Sequence, residues 1–164
     1  MIMWFIVALL ICWLVITTTF CIIIYRGFKV DEDSKMSIRE SMNLVNLPVV
    51  TFENSGNKYN FIVDTGANDS IIDKNCNIIT STHYINNDII GIEGTTRKCN
   101  TVIINFNYKN TVFETIFNVI DLSDLFNKIK ENYGVAVHGI LGTNFLDKYN
   151  YVIDFRDYKI YRKK

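Results

Sequence analysis

Hydrophobic residues follow two distinct patterns along the chain. From Met1 to Tyr25 they run almost unbroken and without a charged residue, as in Trp4-Phe5-Ile6, Leu9-Leu10-Ile11 and Ile22-Ile23-Ile24. From Leu47 onward they come in short arms separated by turns rich in Asn, Gly and Ser. About 20 apolar residues suffice to cross a bilayer core as a helix, so the first pattern predicts a single transmembrane helix over residues 1–25. A cleaved signal peptide would want a basic start and a small-x-small cleavage site. No Lys or Arg precedes this run, and it ends in Ile24-Tyr25-Arg26.

The second pattern predicts strands. Val49–Phe52 reads as one, Asn54-Ser55-Gly56-Asn57 as a turn, and Tyr59–Asp64 as the returning arm. Ser70–Ile72 resumes extended structure, and Asp73–Thr82 reads as loop with at most a short helix. Asp88–Ile90 leads into a hairpin whose tip carries Gly91 and Gly94. Thr101–Tyr108 forms a long strand, turned by Lys109-Asn110-Thr111 and returned over Val112–Ile120. Ser123–Tyr133 predicts a helix capped by Ser123, stopped by Gly134, with Leu125, Ile129 and Tyr133 on its apolar stripe. Gly139-Ile140-Leu141-Gly142 reads as a strand running into a helical turn, and a hairpin over Tyr151–Phe155 and Tyr158–Tyr161 follows. Residues 26–46, with the mixed run Asp31-Glu32-Asp33-Ser34-Lys35, predict a solvated juxtamembrane linker. Residues 47–164 are then the folded domain, mainly β, which at this size must close on itself or cover its edges.

Charge narrows the partners. With 17 basic and 17 acidic residues in 164, nothing favours nucleic acid. Arg26, Lys29, Lys35 and Arg39 follow the apolar run, so the positive-inside rule puts the domain on the cytoplasmic face of a single-pass protein. Cys76 and Cys99 form no CxxC, and His83 and His138 lack partners at zinc spacing, so no metal or cofactor is expected. Ser70 and Thr143 lack the Gly-x-Ser-x-Gly setting of a serine hydrolase, and phosphate loops are absent.

The candidate chemistry lies in Phe61-Ile62-Val63-Asp64-Thr65-Gly66-Ala67. An apolar strand delivers one carboxylate onto a Thr-Gly turn, where an ionised group persists only if something supports it. Thr65 offers a hydroxyl and a backbone N–H, and Gly66 lets the backbone turn tightly and a partner approach. This is the pattern of a catalytic carboxylate.

Asp64-Thr65-Gly66-Ala67, a glycine hairpin at Gly91-Ile92-Glu93-Gly94 and a later Gly139-Ile140-Leu141-Gly142 block, in that order, together resemble a retropepsin-like aspartic protease over roughly Leu47 to Tyr161. The resemblance implies a closed β barrel of the acid-protease half type, with one or two short helices. It implies Asp64, Thr65 and Gly66 as the catalytic turn. Ala67, Asn68, Asp69 and Ile140 would line a groove for an extended peptide, under a flap made by Gly91, Ile92, Glu93 and Gly94. It also implies a homodimer, since the chemistry needs two carboxylates sharing a proton and the chain has one Asp-Thr-Gly. An isologous interface presents Asp64 twice. Retroviral members commonly carry an acid where Asn68 stands, an Arg where Thr143 stands, and an apolar terminal strand that interleaves between protomers; this chain ends in Arg162-Lys163-Lys164. The expected function is a membrane-anchored aspartic endopeptidase acting on peptide or protein substrates. The rival is a catalytically silent, membrane-tethered dimerisation or peptide-binding module of the same fold.

Overall fold

Two left-handed residues start the barrel. Ser55 (φ 50°) and Gly56 (φ 81°) make the tight turn that joins β2 (Val49–Asn54) to β3 (Asn57–Val63) as an antiparallel hairpin with Val50 opposite Phe61. A two-residue turn of this hand matches the twist of the strands it links. The computed structural model describes residues 2–27, 35–78, 86–90 and 96–162, with side chains over 10–22, 35–78 and 99–162.

β4 (Ser70–Asp73), β6 (Thr96–Tyr108), β7 (Thr111–Ile120) and β8 (Gly139–Leu141) complete the ring. Neighbours run β2-β3-β8-β4-β7-β6, and β6 returns to β2 through Glu53 opposite Asn107, so six strands close on themselves. β5 (Asn86–Ile90) adds to β6 as an antiparallel arm outside that ring. Closure removes the exposed edges that a small sheet would otherwise present.

Period-two alternation fills the interior. Val102, Ile104 and Phe106 of β6 and Phe113, Thr115 and Phe117 of β7 are buried, while Asn105, Asn107, Val112, Glu114 and Ile116 face outward. Phe52 is fully buried and meets Phe61, Phe106, Tyr108, Phe113 and Phe145 at ring-centre distances of 5.5 to 6.1 Å. The edge-to-face packing of most of these pairs suits the ring quadrupoles.

The expected linker is corrected over its second half. β1 (Met36–Ser37) pairs with β10 (Lys159–Arg162), which pairs with β9 (Tyr151–Asp154), making a separate three-stranded sheet. Met36, Ile38 and Val45 are buried, and α2 (Arg39–Val45) ends at left-handed Asn46, whose N–H is donated to the Met42 carbonyl. Burial of these apolar side chains outweighs the tether-like composition around them.

Three short helices occur among the described residues, against the one or two expected: α2, α3 (Ser123–Tyr133) and α4 (Thr143–Lys148). α3 stops at left-handed Gly134 as expected, but its buried face differs. Phe126 and Ile129 are buried, whereas Leu125 and Tyr133 are about half exposed. Ser123 is the first helical residue rather than the cap. Leu122 stands at the cap without a side-chain bond, and the Asp121 carboxylate before it accepts from the Ser123 N–H (3.2 Å) and hydroxyl (2.6 Å). Its contact with Lys74, and then with Ser123, holds its carboxyl down at about 2.

Residues 74–78 form no helix, and 79–82 lie outside the described residues. α1 (Ile2–Gly27) is a 26-residue helix. Among the described residues no helix is long and apolar enough to cross a membrane. The described side chains of α1 run only over residues 10–22, so the anchor expected over 1–25 stands on the sequence alone.

Candidate active site

The barrel brings the two distant blocks of the sequence side by side. β3 and β8 run parallel, with Phe61 opposite Gly139, Ile62 opposite Ile140 and Val63 opposite Leu141. β8 lies between β3 and β4, antiparallel to the latter through Ile71–Ile140 and Ile72–Gly139. The chain therefore leaves β3 at Asp64, loops over the end of β8, and returns as β4 on its far side.

Only glycine fits beneath that loop. A Cβ on Gly142 would stand 2.7 Å from the Ala67 carbonyl oxygen and from two backbone atoms of Asp69. A Cβ on Gly139 would stand 2.5 Å from the Ile71 carbonyl oxygen and 2.9 Å from the Phe61 ring. Absence of a side chain lets backbone meet backbone at both points.

Hydrogen bonds then clamp the loop. The Asp64 N–H is donated to the Leu141 carbonyl (3.0 Å), that of Thr143 to Ala67 (2.8 Å) and that of Asn144 to Asn68 (3.0 Å). The Thr143 hydroxyl also donates to the Asn68 carbonyl (3.2 Å). Ser70, fully buried, accepts from the Gly142 N–H (3.0 Å) and donates to the Asn144 Oδ1 (2.7 Å). Asn68 and Thr143, which depart from the expected charge pair, are thus joined by the Thr143 hydroxyl on the Asn68 carbonyl instead.

Asp64 itself is exposed. Its Oδ1 accepts the Gly66 N–H at 2.8 Å, and its carbonyl accepts the Ala67 N–H at 3.3 Å. One carboxylate oxygen is pinned by the backbone while the other is left open. Such a group can take a proton from water or give one to a carbonyl oxygen. It makes no hydrogen bond to another carboxyl group among the described residues.

The other expected site residues divide. Thr65, Gly66, Asn68 and Asp69 are exposed and Ala67 half-buried on the same loop. Ile140 lies elsewhere: with Ile62 it packs against the Phe126, Ile129 and Val137 cluster of α3, because alternation turns its side chain away from that of Leu141. Gly91, Ile92, Glu93 and Gly94 fall outside the described residues. The arms that carry them, β5 and the start of β6, do form a hairpin with Ile90 opposite Thr96.

Ser70, read from the sequence as the start of an extended run without a hydrolase setting, and Asn144 support the loop from beneath. The available signal was a small hydroxyl opening the apolar run Ser70-Ile71-Ile72.

Other reactive groups are occupied structurally. His138 Nδ1 accepts the Asn60 N–H (2.9 Å). Burial pushes its imidazole below the usual range, partly opposed by Asp73. Burial, with Asp73 adding to it, pushes the Cys76 thiol up to about 11, so it stays protonated at neutral pH. Among the described residues no three His, Cys, Asp or Glu side chains are placed to hold a metal ion.

Comparison with known proteins finds no family model that matches the chain and no curated protein that matches it. The class is therefore argued from the fold and the loop at Asp64 alone.

Proposed function

We propose that the chain is a retropepsin-like aspartic endopeptidase that acts as a homodimer, with Asp64 of each copy forming the dyad. The observation that carries this reading is the Asp64 loop: an exposed carboxylate at a strand end, one oxygen held by the Gly66 N–H, clamped over Gly142 inside a closed barrel. In the dimer the two carboxylates share one proton, since like charges at such proximity do not both ionise. One draws a proton from a water as that water's oxygen adds to the scissile carbonyl carbon. The other gives its proton to the carbonyl oxygen; as the resulting diol collapses, the first carboxyl gives the water's proton to the leaving nitrogen and the second takes one back from the diol, so the amine departs and the dyad again holds one proton. Thr65 braces the pair, residues 67–69 pair with an extended peptide, and the β5–β6 hairpin covers it.

The membrane anchor is the second part of the proposal. Its support is the uncharged apolar run of residues 1–25, since about 20 such residues suffice to cross a hydrocarbon core of about 30 Å. Thr17, Thr18 and Thr19 each donate their hydroxyl to a carbonyl one turn back, Leu14 or Val15. No hydroxyl among them is left without a partner, as hydrocarbon requires. Arg26, Lys29, Lys35 and Arg39 favour a cytoplasmic domain, which a reporter fused after Lys164 tests.

The test of activity is peptide cleavage by the full chain and by Asp64→Asn and Asp64→Ala. Loss of the acid–base group lowers the rate by about 10²–10⁴-fold, while the unfolding midpoint stays put because Asp64 is exposed. Undiminished cleavage by Asp64→Ala would falsify the reading.

A further inference from the structure

Asn144, at the start of α4, joins four parts of the chain through one residue. Its Oδ1 accepts the Ser70 hydroxyl at 2.7 Å and the Phe145 N–H at 2.8 Å. Its Nδ2 donates to the Ile116 carbonyl of β7 at 3.3 Å. Its backbone N–H donates to the Asn68 carbonyl on the Asp64 loop at 3.0 Å.

These partners fix which way each group faces. The Ser70 hydroxyl accepts the Gly142 N–H at 3.0 Å, so its own proton points at Asn144. Asn144 Oδ1 therefore faces two donors while Nδ2 faces a carbonyl. Asn meets both demands at this length. Asp has no donor, Ser and Thr bring a single oxygen, and Gln is one methylene longer.

The Ile116 contact also has a structural reason. β4 begins at Ser70, paired with Phe117 of β7, so Ile116 is the first β7 residue beyond the end of β4. Asn144 takes up the carbonyl that a longer β4 would have paired. The backbone N–H groups of Thr143 and Asn144 hold the Asp64 loop down over Gly142. The side chain of Asn144 adds a sideways tie from the same place to β7, which pairs along β6.

We propose that Asn144 is a positioning residue for Asp64: its amide sets the Ser70 proton and registers the Asp64 loop against β7, so that the free carboxylate oxygen points to one place. The inference rests on reading Asp64 as the acting carboxylate. An acting group must be held within about 0.5 Å and 10–20° of its working geometry, and misplacement by about 1 Å costs about 100-fold in rate. The side-chain amide bonds to groups beneath the loop rather than to the groove residues 67–69. Its loss should therefore fall on kcat and leave KM nearly unchanged.

Peptide cleavage by the full chain in proteoliposomes tests this, together with the amide resonance of Gly66, whose N–H is donated to Asp64 Oδ1 at 2.8 Å. Asn144→Ala should lower kcat by about 10–100-fold with KM within about threefold, and the Gly66 resonance should move upfield as its bond lengthens. Asn144→Asp keeps the acceptor for Ser70 and loses the donor to Ile116, so kcat should fall by about fivefold, less than the worth of two such bonds. This variant decides the matter if Asn144→Ala does not fold. Ile160→Val, in the separate three-stranded sheet, is the control for lowered stability and should keep the parent's kcat and Gly66 resonance. Parent-like kcat in both Asn144 variants, a loss confined to KM, an unmoved Gly66 resonance, or an equal loss in Ile160→Val overturns the positioning role. Failure of the endopeptidase reading is seen separately, as a parent chain that cleaves no peptide; the Gly66 resonance in the two Asn144 variants then decides the positioning role by itself.

Discussion

Gly142→Ala is the sharpest test of how the Asp64 loop is held. Gly142 has extended backbone, φ −88° and ψ −174°, so alanine adopts it without strain and any effect is steric. Its Cβ would meet three backbone atoms at 2.7 Å, where ordinary contact begins at 3.4 Å, so the loop must lift by 0.7 Å. Lifting stretches the Thr143–Ala67 and Asn144–Asn68 hydrogen bonds, now 2.8 and 3.0 Å, out of useful range. Two such bonds are worth about 1 kcal/mol each, and forcing an extra methyl into a packed site adds about 1–3 kcal/mol. The gain from a stiffer unfolded chain, about 0.4–1 kcal/mol, does not offset this. A net loss of about 2–4 kcal/mol is expected from a total of about 5–15. Urea unfolding of the full chain in detergent measures it, and amide exchange at Thr143 and Asn144 should quicken in parallel. Gly66→Ala provides the contrast, because its Cβ would meet only the movable Asp64 Oδ1, at 3.2 Å. Stability should fall by less than about 1 kcal/mol while cleavage drops with the displaced carboxylate. Parent-like stability and exchange in Gly142→Ala would refute the clamp.

Two further outcomes follow from the core and from His138. Phe52→Ala removes a fully buried ring that meets five aromatic neighbours and should cost about 3–5 kcal/mol, read as a lowered urea midpoint at unchanged slope; a loss below about 1 kcal/mol would show the ring cluster to be loosely packed. His138 has its imidazole lowered by burial from 6.5, so the unfolded chain binds more protons. Its share of stability is complete above about pH 6.5 and declines as pH falls below that toward the folded value. His138→Gln should flatten this part of the stability profile between about pH 7.5 and 5.5; identical slopes in the two proteins would refute it.

What the sequence made legible follows the range of the interactions involved. The β2–β3 and β6–β7 hairpins are local, and their alternation and turns at Ser55-Gly56 and Lys109 could be read directly. Asp64 was legible too, because a lone carboxylate ending an apolar strand is conspicuous. Met36 and Ile38 were not, since a two-residue strand acquires meaning only beside Ile160, far along the chain. On α3, Leu125-Ile129-Tyr133 and Phe126-Ile129 both fit a helical period, and the position of Val137 and Ile140 beneath it selects the second. Ser70 and Asn144 were invisible as supports until β8 threads between β3 and β4 and brings them within 2.7 Å.

The last strand bears on how two copies meet. In the retroviral dimers that the sequence resembles, a terminal strand interleaves with the partner's. In this chain β10 is already paired on both sides, Ile160 facing Met36 of β1 and Ile153 of β9, and Ile160 is buried. Along Lys159 and Ile160 neither edge of β10 is open. A dimer that joins two Asp64 loops must rest on other surfaces, short of the terminal-sheet contribution to the roughly 1,200–2,000 Å² of a stable interface. Confinement to one membrane offsets a weak contact by raising the effective concentration of the copies. Cleavage per chain in proteoliposomes should therefore rise in proportion to protein density at low density and level off at high density, while dilution of the chain in detergent micelles should abolish it. Sedimentation in detergent should find a monomer under the conditions where activity is lost. Constant cleavage per chain down to one copy per vesicle would refute both the weak dimer and the dyad it assembles.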